Sequence, residues 1–405
     1  MADLLVQKFG GTSVANLERI EAVAEIIKKE SQNNNLVVIV SAMAGETDRL
    51  LDLGKKFFKP EHIREMDALI STGEVVSSSL LAMCLLNQGV NAKSFNASQL
   101  KLITKRDESN KYARILSFDT SLIKKEISNG VIPIITGFQG VNEDGDFTTL
   151  GRGGSDTTAV AIAAELKAKE CQIYTDVSGI FSADPNVISD AKVLNEVTSE
   201  EMLELSGSGA KVLALRSVEL GHKYEVPIRV LSSFQSGSGT KIIYNDPQNM
   251  EDSIVTSITS EPKQAKFTVF GESNELPSKI LNLLAKKNIF VDVIVMNYEL
   301  SGSIDFSFTV HDDDFTHVEN ILEEKKGNLF SNFISESELS KISVVGVGMR
   351  SQSGVASKVF NCLDSKKIKL KLVSTSEIKI TLVVDSKEEK EVIKSLHGQF
   401  NLEVN

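Results

Sequence analysis

Through about residue 230 the chain alternates short, wholly apolar runs with longer stretches whose apolar positions recur at helical spacing. Leu36–Ala42, Val131–Gly137, Cys171–Val177 and Val226–Ser232 are runs of this first kind and predict strands buried on both faces. Ile20, Val23, Ala24 and Ile27 fall at i, i+3, i+4 and i+7, the stripe of an amphipathic helix. Further helices are predicted over Thr157–Lys167 and Gly209–Gly221. This alternation predicts an α/β fold, a mostly parallel sheet sandwiched by helices. Ligands of such sheets bind beyond the carboxyl ends of the strands.

The pattern changes after a Ser-, Gly- and Asn-rich connector, Ser232–Asn249. KFTVFG (266–271) and KISVVG (341–346) each open a strand, followed by a helix, a strand pair, a second helix and a short closing strand. Ile304, Phe306, Phe308 and Val310 alternate with Asp305, Ser307 and Thr309, as in a strand buried on one face. The stretch reads as a βαββαβ unit written twice, roughly 75 residues each. Two copies are too few for a solenoid and fit a paired regulatory module. The expected domains are 1–245, 264–338 and 341–405, with a strand from 253–261 joining the last.

Composition narrows the class. A chain of 405 residues exceeds one ordinary core, and 41% apolar with 24% charged residues reads as soluble and globular. No uninterrupted apolar run reaches the ~18 residues of a membrane span, and the start, MADLLVQK, lacks the features of a signal peptide. Cys84, Cys171 and Cys362 lie far apart, as expected of reduced cysteines in a cytoplasmic protein without a zinc site. A formal charge of −11 argues against a nucleic-acid partner.

Candidate chemistry collects where predicted strands end. KFGGTS (8–13) places Lys8 beside the pair Gly10–Gly11, which lets backbone N–H groups approach an anion; a tight turn explains it equally well. SAMAGETD (41–48) offers the hydroxyls of Ser41 and Thr47, or is ordinary turn chemistry. GRGGSDTTA (151–159) surrounds Arg152 with glycines, which suits bidentate capture of a carboxylate or phosphate. Ser155 and Asp156 follow; Asp156 orients a lysine or a metal ion, or caps the helix. Glu74 in STGEVVSSSL reads from spacing as a first-turn carboxylate facing a helix dipole. TDVSGIFSADPN (175–186) is a long polar loop, and Lys211 sits at a glycine-bearing helix start where a bound anion would favour it. No P-loop motif occurs, and no Ser/His/Asp or Cys/His arrangement is discernible.

Taken in order, KFGGTSVAN, VSAMAGETD, STGEVVSSSL, GRGGSDTTA, TDVSGIFSADP, SGSGAKVL and STSEIKI resemble the motifs of the aspartate kinases, within the amino acid kinase superfamily, and the two repeats resemble paired ACT regulatory domains. The resemblance implies transfer of the γ-phosphoryl group of ATP, with Mg²⁺ bridging its phosphates, to the side-chain carboxylate of L-aspartate. That step opens lysine, threonine, methionine and isoleucine synthesis. It implies that Lys8 stabilises the transferring group, Asp156 holds the lysine, and Gly10 and Gly11 supply backbone donors. Arg152 would grip the α-carboxylate and Glu74 the ammonium, with Ser41, Thr47 and Ser155 completing the acceptor site. Thr175, Asp176, Phe181, Ser182, Asp184, Pro185 and Lys211 would surround the nucleotide.

Lysine, threonine or both are the effectors the resemblance implies, bound near Asn297 and Ser374, Thr375, Ser376 and Glu377 in a homodimer or larger assembly, with no nucleic acid or membrane partner. Two departures stand out. Asn186 replaces the arginine of a common Asp-Pro-Arg loop, and GESNELPS lengthens the first repeat's opening loop. A catalytically silent amino-acid sensor, or another carboxylate kinase of the superfamily, is the alternative.

Overall fold

A computed structural model describes residues 2–106, 112–210, 212–244, 255–298, 302–349 and 354–403. They form two compact units: 1–180, 193–206 and 211–248 in one, and 181–192, 207–210 and 249–405 in the other.

In the N-terminal unit, β1 (Asp3–Phe9), α1 (Leu17–Glu30) and β2 (Asn34–Val40) open a parallel sheet. Next come α2 (Glu46–Lys55), α3 (Ile63–Ile70), α4 (Thr72–Asn87) and β3 (Ala92–Phe95). A small second sheet is built from β4 (Ile103–Lys105), β5 (Arg114–Ser117), β7 (Gln139–Val141) and β8 (Phe147–Thr149), with α5 (Ser121–Ser128) and β6 (Ile132–Thr136) between them in sequence. The chain then runs through α6 (Gly154–Leu166), β9 (Glu170–Thr175), β10 (Glu196–Thr198), α7 (Ser199–Gly207), α8 (Leu215–Tyr224), β11 (Ile228–Ser232) and β12 (Thr240–Ile243).

The main sheet has the order β10-β12-β11-β9-β1-β2-β6-β3 and is parallel except between β11 and β12. Its central strands are apolar throughout because both faces are covered: Val6, Val37, Ile39 and Ile135 are as buried as Val38 and Ile134. The stripe Ile20, Val23, Ala24 and Ile27 packs α1 onto this core. Chain reversals bring the carboxyl ends of β1, β2, β6 and β9 to one rim.

The stretch Pro60–Asn87 is long and apolar enough by composition to cross a membrane, yet half of its most apolar window is buried, and it carries the buried polar residues Glu74, Ser77 and Ser78. The helix expected over Gly209–Gly221 begins only at Leu215. Gly209 has φ of +104°, and a Cβ there would lie 2.2 Å from the Ser260 carbonyl oxygen, so the backbone turns where the sequence pattern continues.

The C-terminal unit carries β13 (Ser257–Gly271), α9 (Leu276–Ala285), β14 (Ile294–Tyr298), β15 (Ile304–His311), α10 (Phe315–Lys325), β16 (Asn332–Val345), α11 (Val355–Ser365), β17 (Leu372–Thr375), β18 (Lys379–Asp385) and α12 (Glu389–Gln399). Its sheet order is β14-β15-β13-β16-β18-β17. The long strands β13 and β16 run through both repeats: Ser257–Glu261 pair with Lys341–Val345, while Gln264–Gly271 pair with β15. The two repeats thus share one continuous sheet.

Residues 181–192 belong to this unit's core. Ala183, Ile188 and Ala191 are buried with Ile258, Ile342, Val359 and Leu396, and Phe181 and Val187 pack against the same cluster.

Candidate active site

At the rim of the main sheet lies a cavity of about 730 Å³, and eight of the expected site residues line it: Lys8, Gly11, Ser41, Thr47, Glu74, Arg152, Ser155 and Asp156. Lys8 stands at the carboxyl end of β1 and Asp156 in the first turn of α6. Lys8 Nζ is 2.6 Å from Asp156 Oδ1, and both residues are more than nine-tenths buried. A buried ion pair of this kind is costly to desolvate and is kept in register by its rigid elements.

Gly10 and Gly11 divide their roles. The Gly10 N–H donates to the Tyr174 carbonyl across β1 and β9, while Gly11 faces the cavity. The helix does not start directly after the pair, because a turn closed by Ser13 N–H donating to Gly10 O intervenes. The helix cap is Asn16, whose side chain accepts from Arg19 N–H.

Glu74 is only 2% exposed. Its Oε1 accepts from Ala42 N–H at 3.1 Å, whereas Oε2 is buried without a hydrogen-bond partner. Burial pushes its pKa up to about 8, against the opposing pull of the Ala42 N–H. A carboxylate so buried is not the exposed first-turn group that a helix dipole alone would explain. The start of α4 is fixed by Ser77 Oγ donating to Ser41 O and by Gln139 Nε2 donating to Ser71 O.

Opposite in charge, Arg152 is exposed on the cavity wall with no hydrogen bond or ion pair to another described residue. Its loop needs its glycines: Gly151 and Gly153 have φ of +80° and +71°, and a Cβ on Gly153 would meet Ala214 Cβ at 2.1 Å. Ser155 packs so closely on Gly137 that a Cβ there would lie 2.5 Å from its hydroxyl oxygen.

Sequence reasoning missed Asp67, Tyr112, Phe138 and Thr149, which also line the cavity. Phe138 has φ of +67°, a conformation that side chains other than glycine rarely adopt, and one often found at functional sites. Asp67 had a visible signal: with Ile63, Met66 and Ile70 it occupies the apolar stripe of α3, an unusual place for a carboxylate.

Thr175 ends β9 on the same rim and Asp176 follows it, with Thr175 O accepting from Ser233 N–H at 2.9 Å. Arg19 Nη2 donates to Ser233 O at 2.6 Å and its guanidinium lies 3.8 Å from the Phe234 ring centroid, which fixes the neighbouring loop.

Phe181, Ser182, Asp184 and Pro185 lie instead in the C-terminal unit. Ser182 is fully buried; its hydroxyl accepts from Lys192 N–H and is within hydrogen-bond distance of Leu402 O and His397 Nε2. Asp184 Oδ1 accepts from Asn186 N–H and from its side-chain amide, so Asn186 closes a local turn. Lys211 lies outside the described residues. Asn297 on β14 and Ser374–Glu377 at β17 occupy the two opposite edges of the C-terminal sheet. Among the described residues no group of three His, Cys, Asp or Glu side chains could hold a metal ion.

The amino acid kinase family matches residues 3–232, and the ACT domain matches residues 342–400. The chain is 45% identical to an aspartate kinase of Stutzerimonas stutzeri over 99% of this chain and 98% of that one. It is 43% identical to an aspartokinase of Geobacillus stearothermophilus over 98% and 97%. The crystal structure of E. coli aspartokinase III in complex with aspartate and ADP shares its fold, with a TM-score of 0.80 at 24% identity over 98% of this chain and 100% of that one.

Proposed function

This chain belongs to the aspartate kinases of the amino acid kinase family, and on that premise we propose how its cavity directs ATP-dependent phosphorylation of the L-aspartate side-chain carboxylate. The observation that carries the reading is the pairing of opposite unmet needs in one cavity: Glu74 Oε2, buried without a partner, and the unpaired Arg152 guanidinium. A zwitterion satisfies both at once. Its ammonium meets Glu74, its α-carboxylate takes the guanidinium fork, and Ser41, Thr47 and Ser155 offer hydroxyls to what remains.

The second carboxylate of aspartate is already ionised at pH 7, so it attacks phosphorus without a general base. Phosphoryl transfer then needs positioning and neutralisation of spreading charge. Lys8 provides a positive charge held in place by Asp156, and Gly11 presents backbone toward the transferring group. Thr175 and Asp176 lie along the same rim, toward the nucleotide. Mg²⁺ would come with the phosphates of ATP and would supply further neutralisation of charge there.

The C-terminal unit is the regulatory part, responding to lysine, threonine or both in a cytoplasmic enzyme. Asn297 and Ser374–Glu377 are separated within one chain by five strand spacings across the sheet, and their ladder positions, Asn332 and Ser343, also lie toward opposite ends of β16. One small amino acid bridges them only if a second copy brings its opposite edge alongside. Edge strand β14 exposes Ile294, Met296 and Tyr298, which favours such pairing into a homodimer.

A hydroxylamine trap tests the activity. Protein, ATP, Mg²⁺ and L-aspartate should give aspartyl hydroxamate. Product with glutamate or carbamate as acceptor, and none with aspartate, would assign another carboxylate kinase; no product with any acceptor would leave the sensor.

A further inference from the structure

Beneath the Arg152 loop lies a buried carboxylate that the mechanism above does not use. Asp67 is 4% exposed. Its Oδ2 accepts from Arg106 Nη2 at 2.5 Å and its Oδ1 from Thr149 Oγ1 at 2.9 Å. Thr149 ends β8, two residues before Gly151, and its carbonyl accepts from Ala113 N–H. Arg216 holds the next stretch by donating to Leu150 O and Ala113 O. The loop that presents Arg152 is therefore anchored at its entry by Asp67 and Arg216.

Another anion in the wall of a site for a dicarboxylate is electrostatically adverse. Desolvation raises the Asp67 pKa, and the Arg106 charge opposes that rise. Both Asp67 oxygens already have partners, so the group is poorly placed to take a substrate atom as well. It acts through what it holds.

We infer that Asp67 is a positioning residue for acceptor recognition: through Thr149 it fixes the entry to the Gly151–Gly154 loop and so aims the Arg152 guanidinium at the α-carboxylate of the acceptor. This rests on the assignment of Arg152 to that carboxylate. It makes Asp67 selective in its effect, since only ligands that carry the α-carboxylate feel the aim of Arg152. A residue that merely stabilised the unit would affect all ligands alike.

The test uses three acceptor-site ligands with the full-length enzyme: L-aspartate, succinate, which lacks the ammonium, and 3-aminopropanoate, which lacks the α-carboxylate. Asp67→Asn should raise the KM for aspartate and the inhibition constant of succinate by about tenfold or more, the loss of one well-aimed charged contact. The constants for 3-aminopropanoate and for ATP should stay within about twofold. Thr149→Val, a milder change that keeps the Asp67–Arg106 pair, should show the same selectivity, and the double variant should be less than additive. Equal weakening of all ligands, or no weakening in either variant, overturns the inference. Arg152→Gln separates the premise: if that change does not weaken succinate more than 3-aminopropanoate, the assignment of Arg152 fails. If it weakens succinate selectively while Asp67→Asn and Thr149→Val do not, only the role of Asp67 fails.

Discussion

Lys8 Nζ and Asp156 Oδ1 lie 2.6 Å apart, one at the end of the first strand and the other in the first turn of α6, each less than a tenth exposed. The pair fixes a lysine ammonium at the rim without letting it wander, as electrostatic stabilisation of a transferring phosphoryl group requires. Lys8→Ala should lower kcat by about 10²–10³-fold with a smaller change in either KM. Asp156→Asn should lower kcat less, since the charge stays but its aim is lost. Steady-state kinetics on both variants checks the order.

Glu74 predicts a pH dependence. Its pKa near 8 in the free enzyme means that the carboxylate is mostly protonated at pH 7, and only the ionised form receives an ammonium. The kcat/KM for aspartate should therefore rise with pH from 6 to a plateau above about 8. Glu74→Gln should abolish that rise together with most of the affinity for aspartate.

The same group predicts a stability effect. A carboxyl whose folded pKa lies above its unfolded value binds its proton more tightly when folded. It stabilises the fold at low pH, and that contribution is lost as pH climbs from 4.5 through about 8. In the absence of aspartate, Glu74→Gln should have a higher Tm than the parent at pH 8, with the gap closing toward pH 5. Calorimetric scans across that range measure it. An enzyme made more stable by the loss of its substrate ligand is the pattern expected of a site strained for function.

Gly153→Ala should cripple the enzyme without touching a charge. The position needs φ of +71° and has no room for a Cβ against Ala214. Displacing the loop should raise the KM for aspartate about tenfold or more, with a loss of stability of about 1–3 kcal/mol. Kinetics and denaturant unfolding read the two effects separately.

A chain ending at residue 248 should not behave as an independent kinase. Ala183 and Ile188 are core residues of the C-terminal unit, and Phe181 packs against them. Truncation strips their partners and exposes apolar surface worth about 1.5–3 kcal/mol per large side chain. The truncated chain should aggregate, and co-expression of residues 249–405 should restore solubility, as judged by fractionation of the two pieces.

Much of the cavity's lining was legible in the sequence because its polar and charged groups sit where the alternating pattern breaks. The pair Gly10–Gly11, the glycines around Arg152 and the carboxylates Glu74 and Asp156 all fall at strand ends or helix starts, and the parallel sheet gathers such places onto one rim. What stayed hidden depends on tertiary packing. Spacing made Glu74 a first-turn carboxylate facing a helix dipole, since nothing local reveals that it is buried and bonded to Ala42 N–H. Tyr112 and Phe138 stand just before β5 and β7 of the second sheet, whose short strands carry almost no periodic signal. The segment 181–192 follows β9 after five residues, and its apolar residues do not announce that they join the other unit's core. The expected helix over 209–221 failed for a related reason: its apolar pattern ran on across Gly209, where the backbone turns.

The account is tested most directly by a crystal structure of the enzyme with L-aspartate and an unreactive ATP analogue. It predicts the aspartate ammonium at hydrogen-bond distance, about 2.7–3.2 Å, from Glu74 Oε2, the α-carboxylate on Arg152, and the side-chain carboxylate turned toward Lys8 and the terminal phosphate. Aspartate bound away from this cavity, or bound in it with a carboxylate rather than the ammonium at Glu74, would contradict it.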